Sequence, residues 1–190
     1  MRILSESIAD YIDLNYDIDE FNDLKELDKV KNLVINSLNY SMGVSSFYPK
    51  ELSYFKNLEE CRFINFNITD EVIEYLNNFK LKVLSLDNCI CESKKELFVD
   101  KLNIENSRIN LNKVKVKELL ILDNDVIDIG SIDSSNLVDL KLLKCNLMNV
   151  KLFEKMKNCK VKIVGCSIDD ESIINLENVT YDPNMFEKTM

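Results

Sequence analysis

The stretch from Leu137 to Leu147, LVDLKLLKCNL, decides the fold. Leu140 and Leu142 stand one residue apart, which places both side chains on the same face of a short strand. Cys145 follows where the chain turns inward, and a thiol can pack there among apolar side chains. The stretch therefore predicts a strand with one buried face, then a turn, then the inward residue Leu147.

The same spacing recurs along the chain as apolar-x-x-apolar-x-apolar-x-x-(Asn, Cys or apolar)-x-apolar. In one segment, for example, Asn124 takes the turn position and Val126 the last apolar position. Eight segments fit, beginning at residues 30, 58, 81, 99, 116, 137, 158 and 176. A single segment cannot bury its apolar face alone, whereas stacked segments share a core. The pattern predicts eight stacked turns with parallel strands.

With five constrained positions in each turn, residues 30 to 186 resemble the leucine-rich-repeat family. The resemblance implies an α/β fold, namely a right-handed β/α solenoid with a parallel concave sheet. Short helices or 3₁₀ turns are expected on its convex side.

Two helical regions follow from apolar spacing. After Thr69 and Asp70 as N-cap candidates, apolar residues at helical intervals predict an amphipathic helix over Glu71 to Phe79. Leu4, Ile8, Tyr11 and Ile12 predict another, so we expect an N-terminal helical cap over residues 1–27 and one repeat domain over residues 28–190. Shorter helical stripes are Val150, Phe153 and Met156, and Ile173 with Ile174.

Composition argues against several functional classes. Lys and Arg number 24 against 33 Asp and Glu, and the net charge of -9 disfavours nucleic acid and anionic membranes as partners. Histidine is absent, which removes the commonest general base and metal ligand. We therefore expect no catalytic residues, no metal and no cofactor. With no apolar run of signal-peptide or membrane-span length, a location in the cytoplasm or nucleus is expected.

The cysteines and acidic clusters have structural interpretations. We expect inward, reduced and unpaired thiols at Cys61, Cys89, Cys91, Cys145 and Cys166. Cys159 stands off the repeat positions and is interpreted as a buried thiol at a helix end rather than a nucleophile. Asp169, Asp170 and Glu171 are expected to cap a helix rather than to act as acid and base. Asp123, Asn124, Asp125 and Asp128 could suggest calcium, but the loop glycine and closing Glu of an EF-hand are missing.

Residues that alternate with the inward ones must project from the concave sheet. Some of them form an apolar patch rimmed by charge, as protein interfaces do. The predicted partner-binding residues are Leu120, Leu122, Leu143, Val164, Lys141, Lys162, Asp87 and Glu105. The alternatives are that the N-terminal segment or a neighbouring chain covers this patch, or that it is ordinary surface variation.

Together these features predict a protein-protein interaction module, an adaptor or recognition subunit that binds its partner on the concave face. The stretches Ile68 to Cys89 and Cys166 to Glu171 also resemble the cysteine-containing repeats of ubiquitin-ligase substrate receptors. That resemblance implies substrate recognition in such a complex as an alternative role. An effector of a pathogen or virus is a further alternative, and an enzyme is not expected.

Overall fold

Parallel strands dominate the computed structural model, which describes residues 11–15, 27–36, 45–46 and 49–183. In chain order the strands are β1 (Tyr11–Asn15), β2 (Asn32–Asn36), β3 (Ser45–Ser46), β4 (Glu60–Ile64), β5 (Phe66–Asn67), β6 (Val83–Asp87), β7 (Ile90–Cys91), β8 (Leu97–Glu105), β9 (Arg108–Ile109), β10 (Val114–Leu122), β11 (Val126–Asp128), β12 (Asp139–Leu143), β13 (Asn146–Met148), β14 (Lys160–Val164), β15 (Ser167–Ile168) and β16 (Val179–Asp182). Nine of them form the large sheet, in the order β1-β2-β4-β6-β8-β10-β12-β14-β16. The predicted α/β class with a parallel sheet is confirmed.

Alternation of side chains builds the large sheet. In β12, Leu140 and Leu142 are fully buried, while Lys141 and Leu143 between and after them are only half-buried. Leu140 pairs with Val161 and Leu142 with Ile163 on β14, so buried residues stack on buried residues from strand to strand. Because a shift by one residue would expose the whole buried set, the alternation fixes the register.

The remaining strands form two smaller parallel sheets, β3-β5-β7-β9 and β11-β13-β15. One contiguous core joins these sheets to the large one, with Leu142, Leu147 and Phe153 among its members. In the β10–β11 turn the inward residue differs from the sequence prediction. Val126 is 57% exposed, and Ile127 takes the buried place instead.

At six places in the described ranges a large-sheet strand is followed by a short strand, and one residue between the two strands has a positive φ. These residues are Asn65, Asn88, Asn106, Asp123, Lys144 and Gly165. The backbone N–H of each donates to the carbonyl of the last large-sheet residue one turn on, as Asn88 does to Glu105 at 3.0 Å. Asn, Asp and Gly adopt this left-handed conformation most readily, which explains most of the residue types found here.

The residue after each of these six positions points inward, and at Cys89, Ser107, Asn124, Cys145 and Cys166 its side chain hydrogen-bonds to backbone, while Phe66 is an apolar residue of the core. The Asn124 amide accepts a hydrogen bond from the Ser107 N–H at 3.0 Å and donates to the Leu122 carbonyl at 3.0 Å. The Cys166 thiol accepts a hydrogen bond from the Cys145 N–H at 3.3 Å and donates to the Leu142 carbonyl at 3.4 Å. The thiols therefore satisfy backbone groups as the Asn amide does, in addition to packing.

Helical segments return the chain between turns. The helix α1 spans Asp70–Leu76, and the Thr69 hydroxyl accepts a hydrogen bond from the Val72 N–H, as an N-cap does. This confirms the predicted helix, which ends at Leu76 rather than Phe79. None of the helices in the described ranges is long and apolar enough to cross a bilayer. The described 3₁₀ helices are Leu27–Lys29, Pro49–Tyr54, Leu111–Lys113, Ile129–Ser131, Val150–Lys155 and Glu171–Asn175.

The stripes at residues 150–156 and 173–174 form 3₁₀ rather than α-helix. Val150, Phe153 and Met156 are buried at intervals of three residues, which matches the three residues per turn of a 3₁₀ helix. Ile173 is buried, but Ile174 is exposed and does not extend the stripe.

The expected N-terminal helical cap over residues 1–27 is wrong for Tyr11–Asn15, which form strand β1. Ile12 and Leu14 pair with Leu33 and Ile35 of β2, so these residues extend the large sheet. The open edge of β2 offers unpaired backbone groups, which an added strand satisfies and a helix does not. Leu4 and Ile8 lie outside the described residues.

Candidate interaction surface on the large sheet

One side of the large sheet, the open face, carries side chains that are half-buried or exposed. Strand pairing aligns them into two rows that cross the sheet. The first row is Val34, Arg62, Ser85, Asn103, Leu120, Lys141, Lys162 and Thr180. The second row is Asn36, Ile64, Asp87, Glu105, Leu122, Leu143, Val164 and Asp182. The eight predicted partner-binding residues all lie in these rows.

Three apolar residues of the second row, Leu122, Leu143 and Val164, form the apolar segment. They occupy paired positions on β10, β12 and β14, so neighbouring Cα atoms lie about 5 Å apart. All three are half-buried, and Leu120 lies on the same face two residues before Leu122. The segment is a band of apolar surface that crosses three paired strands.

Charged residues lie on each side of the apolar segment. In the second row Glu105 precedes it and Asp182 follows it. In the first row Lys141 and Lys162 lie beside it on β12 and β14, and Lys141 forms an ion pair with Asp139 at 3.2 Å. Within the described ranges, the Glu105 carboxylate and the Lys162 ammonium make no hydrogen bond or ion pair.

Three polar residues of this surface, Arg62, Asp139 and Asp182, are not among the predicted partner-binding residues. Arg62 donates to Asp87 at 2.7 Å, so Asp87 is already neutralised within the sheet. The Asp139 carboxylate neutralises Lys141 in the same way, and Asp182 is the last residue of the second row. Each pair joins positions that share the open face, and alternation indicates that shared face but not which side chains meet across it. The patch therefore offers fewer unpaired charges than its sequence suggests.

Asn103 occupies the first row between Ser85 and Leu120. Its Nδ2 donates to the Ser85 hydroxyl at 3.1 Å. Its Oδ1 is the only buried side-chain oxygen or nitrogen without a hydrogen-bond partner in the part of the chain described. A buried carbonyl without a donor costs free energy. This position is thus the least satisfied polar site beneath the open face.

The thiols are buried and free of disulfides, as predicted for Cys61, Cys89, Cys91, Cys145 and Cys166, and Cys159 is buried too. Burial raises the pKa of Cys89, Cys91 and Cys159 to about 11 and that of Cys61 further. Contact with Cys166, together with burial, also raises the pKa of Cys145. These five thiols are held protonated at neutral pH and are therefore poor nucleophiles, whereas the hydrogen bond with Cys145 lowers the pKa of Cys166 to about 7.

The acidic clusters bond to backbone. Asp170 caps the 3₁₀ helix Glu171–Asn175 by accepting from the Ser172 N–H at 2.8 Å. Hydrogen bonds from the side chain and then the backbone of Ser172, together with Lys151, lower the pKa of Asp170 to about 2. Asp169 accepts from the N–H groups of Asn149 and Val150 one turn earlier, at 2.6 and 3.2 Å. The described residues include no group of three or more His, Cys, Asp or Glu side chains placed to hold a metal ion.

The candidate site is therefore the open face, where the predicted partner-binding residues lie on neighbouring strands. Comparison of the chain with protein-family models, with curated proteins and with solved structures finds no match.

Proposed function

We propose that this chain is a leucine-rich-repeat solenoid that binds a protein partner through the open face of its large sheet, as an adaptor or recognition subunit. The apolar segment carries the proposal, because half-buried Leu122, Leu143 and Val164 stand side by side among charged residues. The strand order supports the solenoid, since large-sheet strands pair in parallel with those of the preceding and following turns. Crossovers between such strands are right-handed.

The surrounding charges define the partner's chemistry. Apolar side chains would cover the apolar segment, where full desolvation supplies most of the affinity. A carboxylate would pair with Lys162 and a basic group with Glu105, because neither has an ion-pair partner among the described residues. Such rim charges mainly set orientation and association rate.

The test is the substitution Leu143→Asp. The partner is first purified by affinity from the native cell and identified by mass spectrometry, and its binding is then measured by calorimetry. Leu143 faces the open side, so the variant should fold, but it places a charge in a desolvated contact. Binding should weaken by about 2 kcal/mol or more, as for a residue at an interface centre.

Two control variants make the result decisive. Leu142→Asp puts a charge in the core, where Leu142 is 0% exposed, and should cost about 4 kcal/mol or more of unfolding free energy. Met148→Asp alters an exposed apolar residue of β13, away from the open face, and should leave binding unchanged. If Leu143→Asp unfolds the protein as Leu142→Asp does, the register is wrong. If it folds and binds normally, the partner does not contact the apolar segment.

A further inference from the structure

One turn of the chain contains an additional residue. In four turns, the first residue of the short strand stands three positions after the last residue of the large-sheet strand. These intervals run from Asp87 to Ile90, Glu105 to Arg108, Leu143 to Asn146, and Val164 to Ser167. From Leu122 to Val126 the interval is four. Asn124 keeps the inward place, so Asp125 is the inserted residue. An insertion of this kind is a bulge, and bulges concentrate where strand pairing ends.

The insertion coincides with the break between the two smaller sheets. Where pairing is intact, the N–H groups of Arg108 and Asn110 donate to the carbonyls of Cys89 and Cys91, at 2.9 and 3.1 Å. Among the described residues, no corresponding bonds run from the N–H groups of Val126 and Asp128 on β11 to the carbonyls of Ser107 and Ile109 on β9. In parallel strands, alternate residues direct their backbone N–H and C=O groups to opposite sides. The N–H groups of Val126 and Asp128 therefore face the carbonyls of Ser107 and Ile109 across the break.

A cleft of about 570 Å³ opens at this break, within the range of protein binding sites. Its lining includes apolar side chains of the core, with Ile104, Ile121 and Ile127 among them. The Asn124 side chain spans one end through its bond to the Ser107 N–H. The cleft thus has an apolar floor and two strand edges as its walls, and we call it the edge cleft.

The rim of the edge cleft is mainly acidic. Asp125 is exposed, and its carboxylate has no hydrogen-bond or ion-pair partner in the described ranges. Asp128 bonds to the Gly130 N–H and to Asn149, both at 2.8 Å, but remains exposed. Arg108, the basic residue of the lining, forms an ion pair with Glu92 at 3.6 Å. The rim and the net charge of -9 both favour a basic ligand.

We propose that the edge cleft binds an extended, basic segment of a partner protein, which enters as a parallel strand between β9 and β11. Its backbone bonds to the Val126 and Asp128 N–H groups on one side and to the Ser107 and Ile109 carbonyls on the other. Alternate side chains point in opposite directions, so small apolar ones cover the floor while Lys or Arg lies beside Asp125. This site is separate from the open face and does not depend on the proposed function.

Amide hydrogen exchange of the full chain, read residue by residue by NMR, tests the proposal. The probe is a short synthetic peptide of alternating lysine and valine, blocked at both ends. In the free protein the Val126 and Asp128 amides should exchange much faster than the paired Ile127 amide. At saturating peptide, their exchange should slow by about tenfold or more. The same peptide with methylated valine nitrogens, which lacks half of its donors, should bind at least about tenfold more weakly.

Deletion of Asp125 provides the structural test. The deletion restores the three-residue interval, so β9 and β11 should pair, the Val126 and Asp128 amides should become protected, and peptide binding should be lost. Asp125→Ala keeps the insertion and should weaken binding only about two- to fivefold, by removing a rim charge. Val126→Pro removes one unbonded donor at a strand edge and should weaken binding even if the deletion variant fails to fold.

Three results would overturn the proposal. The first is protection of the Val126 and Asp128 amides in the free protein, since β9 and β11 would then already be paired. The second is no change at these amides with saturating peptide, which would mean that the cleft holds water only. The third is unchanged peptide affinity in Val126→Pro, which would mean that the peptide binds elsewhere.

Discussion

At the residue scale, Lys144 fits its backbone conformation least well. Its φ is +53°, and the equivalent residues of the other turns are Asn65, Asn88, Asn106, Asp123 and Gly165. A Cβ in the left-handed region approaches the following carbonyl and costs about 1 kcal/mol or more. The compensating contact is an exposed ion pair with Asp123 at 3.6 Å, which contributes little.

Lys144→Gly should therefore raise the free energy of unfolding by about 0.5 to 1 kcal/mol, because relief of strain exceeds the added entropy of the unfolded chain. Urea unfolding of the two proteins measures the difference. Lys141→Gly, made in the extended strand β12, relieves no strain and should be destabilising. Equal losses in both variants would show that Lys144 is unstrained.

At the element scale, a carboxylate holds the loop after the 3₁₀ helix Ile129–Ser131 against β10. Asp133 accepts hydrogen bonds from the Lys115 ammonium and from the Ser135 N–H. These bonds lower the pKa of Asp133 from 3.8 to about 2, and Asp133 in turn raises the pKa of Lys115. The loop is thus attached to the strand by a pair that depends on the ionised carboxyl group.

The pH dependence follows from the lowered pKa of Asp133. Its contribution to stability is complete above the unfolded-state pKa of 3.8 and is lost as the pH falls towards the folded value of about 2. Asp133→Asn should therefore be less stable than the wild type at pH 6, and the two should converge between pH 4 and pH 2. Urea unfolding at each pH provides the comparison. If the difference in unfolding free energy between the two proteins stays constant over this range, ionisation of Asp133 is not its source.

The type of an element was predictable where the apolar residues fitted only the helical or only the strand spacing. It was not predictable where they fitted both spacings. Leu140 and Leu142 fit only a strand, whereas Leu4, Ile8, Tyr11 and Ile12 fit helical spacing although Ile12 and Leu14 also alternate. Residues 11–15 form a strand because they pair with the edge of β2, and only the assembled sheet shows this edge. Asp125 was missed because Asn124 and Val126 satisfy the pattern at the expected spacing, although Ile127 is the buried residue.

At the scale of the whole molecule, every described pairing joins neighbouring turns. The large sheet follows chain order from β1 to β16, and the smaller sheets follow the same order. The open-face rows were predictable because they depend only on alternation and register. The ion pairs Arg62–Asp87 and Lys141–Asp139 were not, because they depend on how long side chains reach across that face.

Pairing between neighbours alone has a mechanical consequence. A force applied to the two chain ends would load the outermost strand of the large sheet first, because no described strand ties distant turns together. In an optical trap we expect the protein to peel strand by strand in several small extensions. A single rupture of the whole chain would show that its turns yield together. Because strands pair only with those of neighbouring turns, the molecule would lengthen in steps when it is pulled.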